Sequence, residues 1–353
     1  HVIDGRVDGG RATVALTPPA FDVSDPRPGW SGNDVNVDID LSDLTLKTIG
    51  TVPIVQRLGG KVELKDEILS VTAKDGIVAA RAGEQLTLPG ATFSIPDVRK
   101  HGDKTGVLSL DLDGPAASVA TVLDAKPLNV LSERGLSPDG ISGSASVTLD
   151  ARFPLVRELS LEDVAWKLSG NVRNFSSDKP IQGNTISAAD LTFDVDASRL
   201  ELKGKGRLDG LPADLDLVLP LGDGTDAVAA RQGVVLNATA DQLAKRGIDL
   251  REFVNGSMRM AVDEKDGGQS FDIDLTRARI DLAQVGWTKS PGVPARAHFT
   301  MTESGGAREI RGFEFTSEGV EITGTLSLDG KGNLKRAQFS RFALRPSDEA
   351  TLR

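Results

Sequence analysis

Residues suited to catalysis are few in this sequence of 353 residues. Its three histidines, His1, His101 and His298, lie far apart, and no HExxH or similar metal-ligand spacing surrounds them. No GxSxG nucleophile elbow occurs, although spacing alone leaves a Ser/His/Asp triad open. There is no cysteine, which excludes thiolate metal sites, cysteine nucleophiles and disulfides. We therefore expect surface or core histidines, no cofactor, and a protein that is not an enzyme.

Clustered aspartates are the next candidates, for calcium binding or for the paired carboxylates of a glycosidase. They occur in three places: Asp38, Asp40 and Asp43; Asp223 and Asp226; Asp272 and Asp274. The first cluster fails the EF-hand pattern because its sixth position is Asp43, where that loop needs glycine. Glycosidase carboxylates stay open, since their separation is a three-dimensional property, but the absence of tyrosine and the 3 tryptophans argue against a sugar-stacking cleft. The better interpretation is the solvated face of strands, and no metal site is predicted.

Phosphate and nucleic-acid binding find little support in the pattern. Gly204 and Gly206 lie within a strand pattern and have no GK[ST] after them, so they form no phosphate loop. The formal net charge is −10 and no Lys/Arg block is present, which disfavours nucleic acid as a partner.

The elements that must position any site are mainly strands. Apolar and polar residues alternate with period two, which is typical of antiparallel strands with one apolar and one solvated face. The clearest segments are 35–41, 200–208, 215–219, 271–275 and 320–328. Turns are expected at Asp75-Gly76, Asp113-Gly114, Asp209-Gly210 and Asp329-Gly330. The fold class predicted is mostly β: an elongated, curled antiparallel sheet with a U-shaped groove, built from repeats, with a few short helices.

Three short helices are predicted from proline, glycine and apolar spacing. They are Val52–Leu58, Pro127–Arg134 and Asp241–Arg246.

Self-comparison indicates an internal repeat. Residues 42–50 align with 162–170, and 200–210 with 320–330, both offset by about 120 residues; Leu131–Gly135 aligns with Leu243–Gly247 at an offset of about 112. Such units can stack into one continuous β body. We expect a partial first unit at 1–127, a second at 128–240 and a third at 241–353.

No run of 18 or more apolar residues occurs, so the sequence predicts no membrane span. The chain opens with HVIDGRV, which resembles the inside of a strand. We expect a fragment of a longer protein whose targeting segment lies upstream.

Three segments resemble the AsmA-like superfamily of bridge-like lipid-transfer proteins. LELKGKGRLDGLPADLDLVLPL (200–221) is similar to that family's groove strands, and ARIDLAQVGWTKSPGVPARAHFTM (278–301) to its strand, Gly-Trp turn and return strand. KRGIDLREFVNGSMRMAV, within 243–262, resembles the helix and glycine turn that open each unit. The resemblance covers roughly residues 30–345.

The resemblance implies non-enzymatic transport of phospholipid between inner and outer membrane along an apolar β-groove. It implies acyl chains and both membranes as partners, and a periplasmic protein anchored in the inner membrane of a Gram-negative bacterium. The residues predicted to line the groove are Leu200, Leu202, Leu208, Leu215, Leu217, Leu219, Val320, Ile322, Leu326 and Leu328.

Two alternatives remain open at this point. One is a structural or assembly factor for the outer-membrane envelope, in which closed β-sandwich repeats leave no lipid groove. The other is an extracellular adhesin or carbohydrate-acting β-solenoid, which the absence of short strict repeats counts against.

Overall fold

The computed structural model describes residues 2–15, 35–99, 104–126, 128–132, 137–156, 159–179, 184–221, 231–245, 250–265, 268–304, 307–330 and 334–344. Strands dominate these ranges and α-helices are few and short, which confirms the prediction of a mostly β antiparallel fold. The chain divides into two compact units, His1–Leu200 with Leu221–Ala227, and Glu201–Pro220 with Val228–Arg353. None of the described helices is both long and apolar enough to cross a membrane.

Unit 1 is an antiparallel meander in which each strand pairs with the next along the chain. Its elements are β1 (Val2–Val14), β2 (Val35–Leu46), β3 (Val55–Lys65), β4 (Ile68–Arg81), β5 (Glu84–Ile95), β6 (Thr105–Pro115), α1 (Ala116–Leu123), β7 (Ile141–Pro154), β8 (Ala165–Ser177) and β9 (Ile186–Asp196). Helix α1 follows β6 directly and packs on β4–β7.

Unit 2 begins within β10 and contains a second meander with a small side sheet. Its elements are β10 (Arg199–Leu208), β11 (Leu211–Pro220), β12 (Arg231–Thr239), α2 (Ala240–Ala244), β13 (Val254–Asn255), β14 (Ser257–Lys265), β15 (Gly268–Asp274), β16 (Arg279–Leu282), β17 (Trp287–Lys289), β18 (Ala295–Ser304), β19 (Ala307–Ser317), β20 (Val320–Leu328) and β21 (Leu334–Ala343). β13, β16 and β17 form the side sheet, and β11 to β21 otherwise pair in order.

A line of kinks crosses neighbouring strands of unit 1. Asp43, Arg57 and Asp75, in β2, β3 and β4, adopt left-handed φ values of 52°, 60° and 60°. At each kink the alternation of inward-facing and outward-facing residues shifts by one position. In β4 the inward-facing residues have odd numbers up to Ala73 and even numbers from Gly76 onward. Because each kink shifts the alternation by one, the same face of the sheet stays apolar along the whole strand.

The structure corrects three local predictions, and the kinks explain two of them. Asp75-Gly76 is no turn, because β4 runs through it, and the predicted helix Val52–Leu58 is instead the approach to and start of β3. Asp113-Gly114 likewise lies within β6. Asp209-Gly210 does form a turn, with φ values of 48° and 75°, and Asp329-Gly330 lies between β20 and β21.

The helices differ partly from prediction. α2 (Ala240–Ala244) confirms the helix expected at 241–246, with Arg246 outside the described residues, and its Thr239 and Gln242 form a capping box. Of the helix expected at 127–134, the described residues 128–132 form turns, while Pro127, Glu133 and Arg134 lie outside the described residues. The helix that forms nearby, α1, was not predicted.

One pair of glycines supports the internal repeat. Gly143-Ser144 in β7 and Gly256-Ser257 at the start of β14 lie about 113 residues apart, with φ values of 109° and 108° at the glycines. Each lies near the start of a strand: β7 comes after α1, and β14 comes after α2 and the two-residue strand β13. This agrees with the shorter predicted offset, while the division at 1–127, 128–240 and 241–353 stays a prediction.

Candidate functional site

The apolar face of each sheet is the candidate site, and in unit 1 its end nearest α1 is packed as core. Leu58, Val78, Leu86 and Val147 are almost fully buried there against the helix. α1 itself is held by Ser118, whose hydroxyl is fully buried and donates a hydrogen bond to the Glu84 carboxylate. Helix and sheet therefore close this end of the face.

Away from α1, the apolar face of unit 1 continues without being part of that core. Cross-strand neighbours form one unbroken line over seven strands, which we call the outer row of unit 1. Its members are Ile39, Val62, Val71, Phe93, Leu108, Ala151 and Trp166. All are half-buried, and all except Trp166 lie outside the cluster of buried residues and its partners. The outer row of unit 1 is thus a continuous apolar surface that reaches solvent.

Unit 2 repeats this arrangement on its own face. Leu211, Met258, Ala295 and Val320 are buried in a core that also includes residues of α2 and the side sheet. Further along the same strands, another line of cross-strand neighbours forms what we call the outer row of unit 2. Its members are Leu215, Val234, Val262, Phe271 and Phe299. These residues also lie outside the buried cluster and its partners, and all but Leu215 are half-buried.

Aromatic rings cover part of each apolar face. Phe271 and Phe299 of the outer row of unit 2 stack with centroids 4.9 Å apart. In unit 1, Phe93 and Phe153 stack at 6.4 Å across β6, where Gly106 leaves room for them: a Cβ there would lie 2.9 Å from the Phe93 ring. Because aromatic side chains carry large apolar areas, these ring pairs contribute much of the apolar surface around them.

The opposite face of each sheet is charged and wet. Lys61 Nζ lies 2.8 Å from Asp38 and 3.1 Å from Glu63, and these hydrogen bonds raise the pKa of Lys61. Lys167 and Asp194 pair across β8 and β9 at 2.7 Å, which raises the pKa of Lys167. The two faces of each sheet therefore differ sharply in polarity.

A cavity of 320 Å³ extends the apolar face of unit 1 beneath α1. It is lined by α1 residues and by β7–β9 side chains such as Val147, Leu168 and Phe193, with Lys179 at its edge. Its volume falls at the lower end of that of small-molecule sites, and its lining is mostly apolar, as theirs is.

The structure places the ten predicted groove residues in two groups. Half-buried positions are held by Leu200, Leu202, Leu208, Leu217, Leu219, Leu326 and Leu328. Leu215, Val320 and Ile322 are buried at 6%, 3% and 6% exposure, and the last two belong to the core of unit 2. Contact with cargo stays a prediction for the half-buried residues and for Leu215, which lies in the outer row of unit 2. Val320 and Ile322, in contrast, are already packed against other residues of the core.

The residues considered for catalysis or metal binding are dispersed. His298 is exposed on the wet face of β18, and His1 and His101 lie outside the described residues, as do Asp223 and Asp226. Asp38 pairs with Lys61, and Asp43 lies 3.7 Å from Arg6. Within the described ranges, no group of three or more histidines and carboxylates is placed to hold a metal ion.

The outer row of unit 1 was missed at the sequence level. Its signal was present, since Val62, Val71 and Leu108 each lie in a period-two pattern, but the pattern does not reveal which strands are neighbours. The phase changes at Asp43, Arg57 and Asp75 further hide the continuity.

Comparison with known proteins identifies no relative of this chain. No family model matches the chain, and neither a curated protein nor a solved structure is similar to it by the same comparisons. The resemblance to the AsmA-like superfamily therefore stays a prediction, and the case for function rests on the geometry of the apolar faces.

Proposed function

We propose that this protein binds the acyl chains of phospholipids on its open apolar faces and carries lipid between the inner and outer membranes without chemistry. The observation that carries this proposal is the outer row of unit 1, an unbroken apolar line of half-buried side chains that, except for Trp166, lies outside the packed core. Contiguous apolar patches at a protein surface mark sites of interaction with apolar partners.

The dimensions of the row suit an acyl chain. Strands lie ~4.8 Å apart, so a line across seven strands spans roughly 29 Å. One leaflet's acyl chains occupy about 15 Å, half of the bilayer's hydrocarbon thickness. The outer row of unit 1 is therefore long enough to shelter an extended acyl chain along its whole length.

Energetics explain why such a surface would carry lipid. Burying a methylene contributes ~0.8 kcal/mol, so a 16-carbon chain in water costs on the order of 12 kcal/mol. A continuous apolar row offsets much of this cost at every position, and neighbouring positions are nearly equal in energy. The lipid then slides, with its headgroup in water.

Periplasmic location, membrane anchoring and phospholipid as the cargo belong to the same proposal and are supported only by the resemblance. The alternative, a structural or assembly factor of the envelope, needs apolar faces closed by a second sheet. The single large sheet of each unit, with its outer row beyond the core, favours the transport proposal.

Photo-crosslinking tests the proposal with controls one residue away. A benzophenone amino acid replaces Val71 in the outer row of unit 1, or Thr72, its exposed neighbour on the wet face of β4. In unit 2 the matched pair is Phe271 and Asp272. We expect phospholipid adducts by mass spectrometry from positions 71 and 271 and none from 72 and 272. Equal adducts at both members of each pair, or none at any, would contradict the proposal and favour the structural alternative.

A further inference from the structure

Unit 2 has a cavity of 440 Å³ with a mixed polar and apolar lining at the margin of its sheet, where β12 passes into α2 and β14 begins. Ala238 and Met258 of the core form its apolar floor, while Asn237, Arg259 and Arg277 contribute polar walls. The charged side chains in its lining distinguish it from the outer rows.

Three neighbouring strands and one turn bring its charged residues together. Asn237, Arg259 and Asp274 are direct cross-strand neighbours on β12, β14 and β15. Arg277 lies in the turn after β15. The backbone of this turn comes close to the backbone at Gly256. A Cβ there would lie 3.2 Å from the Arg277 carbonyl oxygen, and φ at Gly256 is 108°, so glycine permits this approach.

The cavity carries unbalanced positive charge. Neither Arg259 nor Arg277 forms an ion pair or hydrogen bond with any residue in the described part of the chain. The one carboxylate in the lining, Asp274, accepts the Thr276 N–H at 2.8 Å, and its hydrogen bonds with Thr276 and the nearby Arg296 and Arg277 lower its pKa. It is therefore ionised, and the lining contains two arginines and one carboxylate.

This arrangement is unusual for a chain with a net charge of −10, because surface arginines there have many carboxylates with which to pair. Arg296, directly opposite Asp274 on β18, adds a third positive charge nearby. Amide and hydroxyl groups of Asn237, Gln242 and Ser257 complete the lining and are able to donate hydrogen bonds to an anion.

We propose that the cavity bounded by Arg259 and Arg277 binds the phosphate group of a small anion. A guanidinium presents a planar fork of N–H donors that matches two phosphate oxygens, and two such forks suit a group with three or four oxygens better than a carboxylate with two. A lipid headgroup and a soluble phosphate ester both present this group, and the chemistry at the cavity is the same for either. This inference does not rest on the proposed transport.

Isothermal titration calorimetry at low ionic strength tests the site with inorganic phosphate and sn-glycerol 3-phosphate. The variants are Arg259→Gln, Arg277→Gln and the double substitution, with circular dichroism to verify folding. Arg336→Gln is the matched control, because Arg336 is an exposed arginine of β21 in the same unit. We expect at least a tenfold weaker Kd in the double variant and less than a twofold change in the control. The Kd of Arg277→Lys should lie between those of the wild type and Arg277→Gln, because lysine keeps the positive charge but lacks the planar fork of N–H donors.

A third ligand, short-chain phosphatidic acid below its micelle concentration, distinguishes the two sources. Binding tighter than that of glycerol phosphate, and still dependent on both arginines, indicates a lipid headgroup; equal binding indicates a soluble ester. Absence of saturable binding in the wild type, or equal binding in the double variant, would overturn the site.

Discussion

At the scale of single residues, Lys289 shows how unit 2 is held together. Its side chain is 3% exposed, and its ammonium donates hydrogen bonds to the carbonyl oxygens of Ala278 at 2.8 Å, Ser290 at 3.1 Å and Thr276 at 3.3 Å. The turn after β15 and the end of β17 are therefore joined through one amine, which gives the side sheet a fixed place against the core.

Replacing Lys289 with methionine keeps the aliphatic stem but leaves the buried carbonyl group of Ala278, and the partly buried ones of Thr276 and Ser290, without this donor. We expect the free energy of unfolding to fall by about 2–4 kcal/mol, measured by urea denaturation. Lys205→Met is the control, since that side chain is 85% exposed and its ion pair with Asp214 spans 3.8 Å; it should change stability by less than ~0.5 kcal/mol. Equal stability of the two variants would contradict a structural role for Lys289.

Burial also lowers the pKa of Lys289 below 10.5. The unfolded chain then binds more protons than the folded chain between the lowered pKa and 10.5, so the free energy of unfolding contributed by this residue rises with pH in that window. Titrating the stability of the wild type against Lys289→Met should show their difference growing as pH rises towards 10.5. A difference that shrinks would contradict a lowered pKa.

At the scale of elements, close strand approach depends on glycines within the apolar face. Gly170 of β8 faces Val147 of β7, and a Cβ there would lie 2.3 Å from the Ser146 carbonyl oxygen and 3.1 Å from the Phe193 ring. No side chain fits at that position without moving the neighbouring strand.

Gly170→Ala should therefore weaken the pairing of β7 and β8. We expect the free energy of unfolding to fall by about 1–3 kcal/mol, and the melting temperature to fall with it. Gly9→Ala is the control, because a Cβ at that position of β1 meets nothing within 4 Å. Thermal unfolding followed by circular dichroism compares the two. If Gly9→Ala proves as damaging as Gly170→Ala, backbone crowding is not the cause.

The strands were predictable from sequence because each carries its own alternation, as in β20 (Val320–Leu328). Helix α1 was not, since AASVATVL contains small and β-branched residues and no side-chain cap marks its start. The apolar run 52–58 was mistaken for a helix because the left-handed Arg57 breaks the alternation there. The outer row of unit 1 escaped prediction for a different reason: it exists only after seven strands have been paired, and the alternation within each strand does not reveal which strands are neighbours.

At the scale of the whole molecule, both units share one design: a core closed at one end of the apolar face and an outer row left open at the other. A packed domain would gain stability by covering such rows. Leaving them open is understandable if a lipid covers them, because the same apolar contact then serves both folding and transport.

A carboxylate placed in the outer row of unit 1 should remove bound lipid. Val71→Glu sets a charge beside the acyl chain, and an unpaired charge there costs more than ~1.4 kcal/mol, so we expect about a tenfold loss of co-purified phospholipid. Thr72→Glu carries the same charge on the wet face of β4 and should retain wild-type lipid. Thin-layer chromatography of organic extracts, normalised to protein, measures both; equal lipid in the two variants would contradict the site.

The most direct test of the account is the lipid content of the wild-type chain purified from a Gram-negative host without detergent. Organic extraction followed by mass spectrometry should recover phospholipid at about one molecule or more per chain. A chain that is folded and free of phospholipid would contradict the central claim that its open apolar faces carry acyl chains.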